Sequence, residues 1–277
     1  MLNMFSDSTA VALIGLFGGV LLGLAARLGR FCTMGAIEDL LYGGSSVRLR
    51  MWGLAIGIAV MGCFTLMAFD LFAPDQSFYL SLRWMPLASI MGGVMFGYGM
   101  ALAGNCGYGA IARLGGGDMR AFVIVLVMGV SAYMVLSGPL AELRVWAFPQ
   151  SDVVNDMPPG IAHALAAKLG IAIAPIGITL GALICLVALA SRDFLAKPTS
   201  LFWATIVGLA IVSGWAGTAY IAAYGFEALQ PVSHSFSAPV GETLLYAMTA
   251  SARAPSFAVG SVVGVVFGAF VGSLIKG

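Results

Sequence analysis

Charge is scarce in this sequence. Asp, Glu, Lys and Arg together make up 9% of its 277 residues, and the net charge is +1. Such a balance excludes a nucleic-acid-binding surface, which needs clustered cations. It also excludes an ordinary soluble domain, which needs more polar surface to face water. Cysteine is sparse as well: Cys32, Cys63, Cys106 and Cys185 are the four, and no two stand in a Cys-x-x-Cys pair. A disulfide framework or a structural zinc site is therefore not expected. The two histidines, His163 and His234, stand far apart with no evident co-ligands, so no metal is expected either. There is no Walker sequence, dinucleotide fingerprint or Ser-His-Asp pattern, so neither a cofactor nor an enzyme activity is expected. Residues 1–9 contain Asp7 but no Lys or Arg, and no Ala-x-Ala site follows. The first apolar stretch thus reads as a retained span, not a cleaved signal.

What fills the chain instead is apolar. Hydrophobic residues make up 60%, glycine contributes 37 residues, and mean hydropathy is +1.00. A bilayer is the solvent that stabilises this composition, and frequent glycine suits close approach of membrane helices. Spanning takes about 20 predominantly apolar residues. Seven stretches qualify: Thr9–Leu28, Met51–Phe72, Trp84–Gly104, Met119–Leu140, Gly170–Ala190, Ser200–Ala222 and Ser256–Ile275. The Pro-rich connection Phe148–Gly160, with Pro149, Pro158 and Pro159, separates the fourth from a short interfacial helix expected over Ile161–Leu169. The expectation is an all-α membrane protein, a single membrane domain over 1–277, with a first repeat half at 1–142 and an incomplete second half at 170–277.

Lys and Arg set the orientation. With the N-terminus outside, Arg27, Arg30, Arg48, Arg50, Arg113, Arg120, Arg192, Lys197 and Lys276 fall inside. Arg83, Arg144, Lys168 and Arg253 fall outside, which accounts for all 13 basic residues. The bias favours an outside N-terminus and an inside C-terminus. Three connections, Phe31–Gly44, Cys106–Gly117 and Ser237–Ala250, are too apolar for loops and too short to span. They are expected to be re-entrant, since irregular backbone at membrane depth survives only under protein or beside a water-filled cavity.

Two of these connections share a pattern. Cys32-Thr33-Met34-Gly35-Ala36-Ile37 and Cys106-Gly107-Tyr108-Gly109-Ala110-Ile111 both read Cys-x-x-Gly-Ala-Ile. Each follows a breaker, Gly29 in one case and Gly104 with Asn105 in the other. Cysteine at the start of a short helix lies beside unpaired backbone N–H groups and the positive end of the helix dipole. That environment favours thiolate and bound anions, and broken helices aimed at a common centre are how many transporters hold anions. Gly35 and Gly109 would let a permeant approach the backbone. The expected substrate contacts are Cys32, Thr33, Gly35, Asn105, Cys106, Gly107, Tyr108 and Gly109.

Other candidates weigh less. Cys63 and Cys185 lie mid-span without a motif and read as small buried hydrophobes. Glu38 and Asp39 either pair with Arg113 or Arg120 or face solvent. Arg30 could draw an anion to the mouth or simply obey the positive-inside bias. The Tyr108 hydroxyl serves either the substrate or the interface, and Met91, Met95 and Met100 read as packing. Gly260, Gly264, Gly268 and Gly272 suit either packing within the bundle or a subunit contact.

At Gly29 to Leu40 and Gly104 to Gly109 the chain resembles the YeeE/YedE family of sulfur-transport membrane proteins. Gly214-Trp215-Ala216-Gly217-Thr218, Pro231-Val232-Ser233 and Ser235 to Leu244 are similar to it as well. The resemblance runs from Leu13 to Lys276. It implies an inverted-repeat bundle with re-entrant helices meeting near the centre, and a thiosulfate permease in an inner membrane that passes the anion along pore-lining cysteines. It also implies a small soluble sulfur-carrier protein as companion. Relatives carry two further helices and another Cys-bearing re-entrant segment, so the chain reads as that architecture without its last two helices. A turn is expected at Gly214–Thr218, with Gly217 where the first half has Cys32. Alternatives are a carrier of another sulfur or selenium compound, a channel-like facilitator indifferent to both cysteines, and a membrane thiol oxidoreductase. The last is disfavoured by the missing Cys-x-x-Cys pair.

Overall fold

The computed structural model describes residues 6–73, 77, 84–149 and 160–276. Residues 1–5, Arg83 and most of the Phe148–Gly160 connection lie outside the described residues. The described chain is helical. Its elements are α1 (Asp7–Arg27), α2 (Thr33–Leu41), α3 (Val47–Ala68), α4 (Pro86–Ala103), α5 (Gly107–Gly115), α6 (Met119–Leu136) and α7 (Ala141–Ala147). They continue with α8 (Ile161–Leu169), α9 (Ile173–Leu189), α10 (Arg192–Leu195), α11 (Pro198–Tyr224), α12 (Ser237–Thr249) and α13 (Phe257–Lys276).

A helix occupies each of the seven apolar stretches. Six are long and apolar enough to cross a membrane, with α4 and α5 taken as one bent unit, and α9 follows at 17 residues. This is an all-α, multi-pass membrane protein. Ends are set locally. Ser6 caps α1 through its side chain, which accepts from the Thr9 N–H, and Asp118 caps α6 by accepting from the Arg120 N–H at 3.0 Å. Pro86 and Pro198 open α4 and α11, where the missing N–H is no loss.

Helices in lipid associate through close packing, because their surfaces are no more apolar than the tails they displace. The glycines supply that closeness. α1 and α13 form the tightest pair: a Cβ on Gly19 would lie 3.0 Å from the Gly264 Cα, and one on Gly264 would lie 2.9 Å from the Gly19 Cα. Gly260, Gly264, Gly268 and Gly272 therefore pack within the bundle, all against α1. α3 joins α9 at Gly57, Gly181 and Cys185, and α11 at Gly208 and Ile58. α12 lies between α6 and α13, with Gly129 and Gly241 back to back. The half-helix α5 rests on α13, α6 and α1. By contrast α4 is largely uncovered, with Leu87, Val94, Met95 and Tyr98 all well exposed.

One expected turn is not there. Gly214–Thr218 is interior to α11, which runs unbroken for 27 residues to Tyr224. Its glycines mark close approaches: Gly217 makes room for Ile14, and Gly214 for Ser233. Thr218 returns its hydroxyl to the Gly214 carbonyl at 2.8 Å, as helical threonines do. The break comes later, and the residue that caps α12 is Phe236. Phe236, not Gly217, holds the position that Cys32 holds at α2.

Candidate functional site

Three helices too short to cross a bilayer, α2 and α5 with nine residues and α12 with 13, follow longer ones. Cys32 caps α2 and Cys106 caps α5, both with extended backbone. The Cys106 sulfur accepts from the Gly109 N–H at 3.3 Å, satisfying one of the amides that open α5. Thr33 lies close enough to act on it as well. The two thiols come together: Cys32 and Cys106 both border Gly109 and act electrostatically on one another, and both are free. Gly109 faces both sulfurs: a Cβ there would lie 3.5 Å from the Cys106 sulfur and 3.7 Å from the Cys32 sulfur. Two helix N-termini therefore bring unpaired amides and two polarisable sulfurs to one spot, an arrangement suited to an anion.

A cavity of about 290 Å³ opens beside this spot. Cys32, Gly35 and Gly109 line it together with Arg27, Arg30, Arg48, Arg113 and Lys276, and Glu38 is the lone acid among its described lining residues. Arg48 is the best fixed of these cations. Its Nε donates to the Arg30 carbonyl at 3.1 Å and its Nη1 to Asp39 at 3.3 Å. Arg30 takes a left-handed φ of 52°, unusual for a non-glycine residue, and this conformation presents the carbonyl that Arg48 uses. Gly35 leaves the space that the guanidinium occupies: a Cβ there would fall 2.5 Å from the Arg48 Cζ. Asp39 thus pairs with Arg48 and not with Arg113 or Arg120. Arg113 instead donates to the Gly104 carbonyl at 3.4 Å.

The expected contact residues do not all face the thiols. Cys32, Thr33, Cys106 and Gly109 converge there, and Gly35 lines the basic cavity. Asn105 is 4% exposed, with its Oδ1 unpartnered among the described residues. It lines a groove of about 460 Å³ between α4 and α6 together with Cys106, Met100 and Gly107. Gly107 turns toward α6, where a Cβ would lie 2.7 Å from the Met128 sulfur. Tyr108 is buried, and its hydroxyl donates to the Leu22 carbonyl. Its ring meets Phe236 at 5.2 Å, so the residue that caps the third half-helix packs on Tyr108. Met100 is buried, whereas Met91 and Met95 are exposed on α4. Sequence reasoning missed Arg48 and Phe236. Gly35 in the motif was a trace of the Arg48 guanidinium that lies on it; Phe236 left no comparable sign.

The remaining candidates serve packing. Cys185 sits against Gly57 and reaches the Leu54 carbonyl at 3.9 Å, holding α9 to α3, and Cys63 is half-buried on α3. His234 packs on the first turns of α13, beside Phe257, in a slot left by Gly18 of α1, with its Nδ1 2.6 Å from the Ser261 hydroxyl. Burial pushes its pKa down to about 4. His163 is buried on α8 beside Phe64. No group of three metal-ligating side chains occurs among the described residues. A second cavity of about 400 Å³ is lined by Ser233, Ser235, Glu242, Ser256 and Ser261, with no cation among its described lining residues.

A polytopic helical bundle with paired thiols at the tips of half-helices, beside a cation-lined cavity, has the build of a membrane transport protein. Comparison gives the family. The chain belongs to the family described as Sulphur transport, whose model matches residues 28–277. It is 30% identical over 128 residues to the thiosulfate transporter TsuA of Escherichia coli (strain K12), which is 46% of this chain and 34% of that protein. It is 29% identical over 135 residues to the thiosulfate transporter TsuA of Spirochaeta thermophila (strain ATCC 700085 / DSM 6578 / Z-1203), 48% of this chain and 38% of that protein. The matched stretch thus spans little more than a third of either relative.

Proposed function

We propose that this protein is a permease that takes up thiosulfate across a cell inner membrane. The observation that carries this reading is the contact of Cys32 and Cys106 around Gly109 at the rim of a basic cavity. Thiosulfate is a dianion with a terminal sulfur. It can accept hydrogen bonds from helix-tip amides and from thiols, while the cavity's cations offset its charge. The thiols act here by contact, with no bond made or broken, and the chain performs no enzymatic step. The basic cavity faces the cytoplasm, in keeping with the positive-inside bias, and the serine-lined cavity faces outward. The repeat of long helix, half-helix and long helix in α1–α3, α4–α6 and α11–α13 supports two inverted halves, at 1–142 and 170–277.

Growth of an uptake-deficient strain on thiosulfate as sole sulfur source tests the proposal. Cys106→Ala is expected to abolish growth, and Cys32→Ala to weaken or abolish it. Normal growth of both variants at normal expression removes the thiol path and favours a channel-like facilitator. Contact between two thiols is also the observation that favours a dithiol–disulfide activity. That reading predicts a substrate-dependent change in free-thiol count during turnover, whereas the permease keeps both thiols free throughout.

A further inference from the structure

The thiols explain how an anion is met, but not how it leaves, and the basic cavity holds two cations placed for that step. Arg27, in the last turn of α1, lies across Gly116, where a Cβ would fall 3.0 Å from its Cζ. Its Nε is buried without a hydrogen-bond partner among the described residues, and the side chain lines the cavity. Arg48 lies on Gly35 in the first turn of α2, close enough to act electrostatically on the Cys32 thiol. Its one acidic partner, Asp39, is held at 3.3 Å, with side-chain exposures of 24% and 40% for Arg48 and Asp39. A half-exposed pair of this length is weak, worth about 1 kcal/mol at most, so an arriving dianion can take Asp39's place.

We propose that Arg48 and Arg27 form a second oxyanion subsite on the cytoplasmic side of Cys32, with Asp39 competing for Arg48 so that the subsite releases its guest. This rests on reading the cavity as the anion's path. The subsite recognises charge and oxygens, not sulfur, so sulfate fits it as well as thiosulfate does. It is distinct from the thiol contact, because neither guanidinium depends on a cysteine for its position.

The experiment titrates sulfate and thiosulfate into purified protein carrying Cys32→Ala and Cys106→Ala. Both anions are expected to bind with similar affinity and to weaken with salt. Loss of a charge-assisted contact in Arg48→Gln or Arg27→Gln is expected to lower affinity about tenfold or more. Asp39→Asn is expected to raise affinity about two- to fivefold. Arg48→Lys retains the charge without the fork and is expected to fall between. Thermal unfolding of every variant checks folding, and Arg48→Lys with Arg27→Gln carries the test where Arg48→Gln does not fold. Absence of binding to the cysteine-free protein, or binding that ignores the arginine changes in folded variants, overturns the subsite. Thiosulfate uptake by the cysteine-intact protein is scored separately. Sulfate binding that follows the arginines without uptake keeps the subsite and removes the permease.

Discussion

Gly109→Ala isolates the meeting point of the two thiols. Its new methyl would sit 3.5 Å from the Cys106 sulfur and 3.7 Å from the Cys32 sulfur. Those are ordinary van der Waals separations, so the fold has no reason to move. The Gly109 N–H that serves Cys106 is untouched, and Gly109 has no left-handed φ that alanine would resist. Replacing glycine in a helix by alanine even gains about 0.5–1 kcal/mol, although the position lies in the first turn of a nine-residue helix. Transport should respond in the opposite direction. An atom bridging both sulfurs must sit about where the methyl now is. A hydrogen bond to a charged guest is worth about 1.5–3 kcal/mol, so losing one corresponds to roughly a ten- to hundredfold fall in uptake at low thiosulfate. The assay is uptake of radiolabelled thiosulfate into proteoliposomes, with thermal unfolding in detergent measured alongside. Wild-type uptake by a folded Gly109→Ala protein would refute the view that the substrate passes between these thiols.

The α1–α13 seam is expected to reject a methyl: Gly264→Ala, set against the Gly19 Cα at 2.9 Å, should lose about 1–3 kcal/mol. Gly92→Ala on α4 meets nothing within 4 Å and should stay within about 0.5 kcal/mol; equal unfolding temperatures for the two would contradict the packing. Gly35→Ala meets only the movable end of Arg48, so it should fold, displace the guanidinium and reduce uptake, an effect absent if Arg48 has no part in transport. His234, with a pKa near 4 against an ordinary 6.5, contributes stability that is present above pH 6.5 and lost as pH falls through about 4. His234→Gln should flatten that stretch of the unfolding-temperature profile, and an unchanged profile would assign the acid sensitivity elsewhere.

Much of the architecture was legible in one dimension. Hydropathy is a local sum, so the seven apolar stretches and the short helix at Ile161–Leu169 each coincide with a helix. The duplicated Cys-x-x-Gly-Ala-Ile could be found by eye, because α2 and α5 begin with the same residues at the same spacing. The turn placed at Gly214–Thr218 fell because glycine has two uses: it breaks helices in water but brings them together in lipid, and α11 uses it the second way. The same ambiguity left the Gly260–Gly272 series open until α1 was seen lying on it.

By itself, the sequence determined that the chain lives in a bilayer, where its helices lie, and that two cysteines begin equivalent short helices. These follow from solvent preference and from backbone N–H groups that any helix start leaves unpaired. Only the tertiary structure decided that those cysteines come together beside Gly109, that Arg48 lies on Gly35 with Asp39 as its partner, and that Phe236 packs on Tyr108. Such contacts join residues from separate helices. They depend on which glycine faces which neighbour across α1, α13 and α5, and no pattern within one segment encodes that choice.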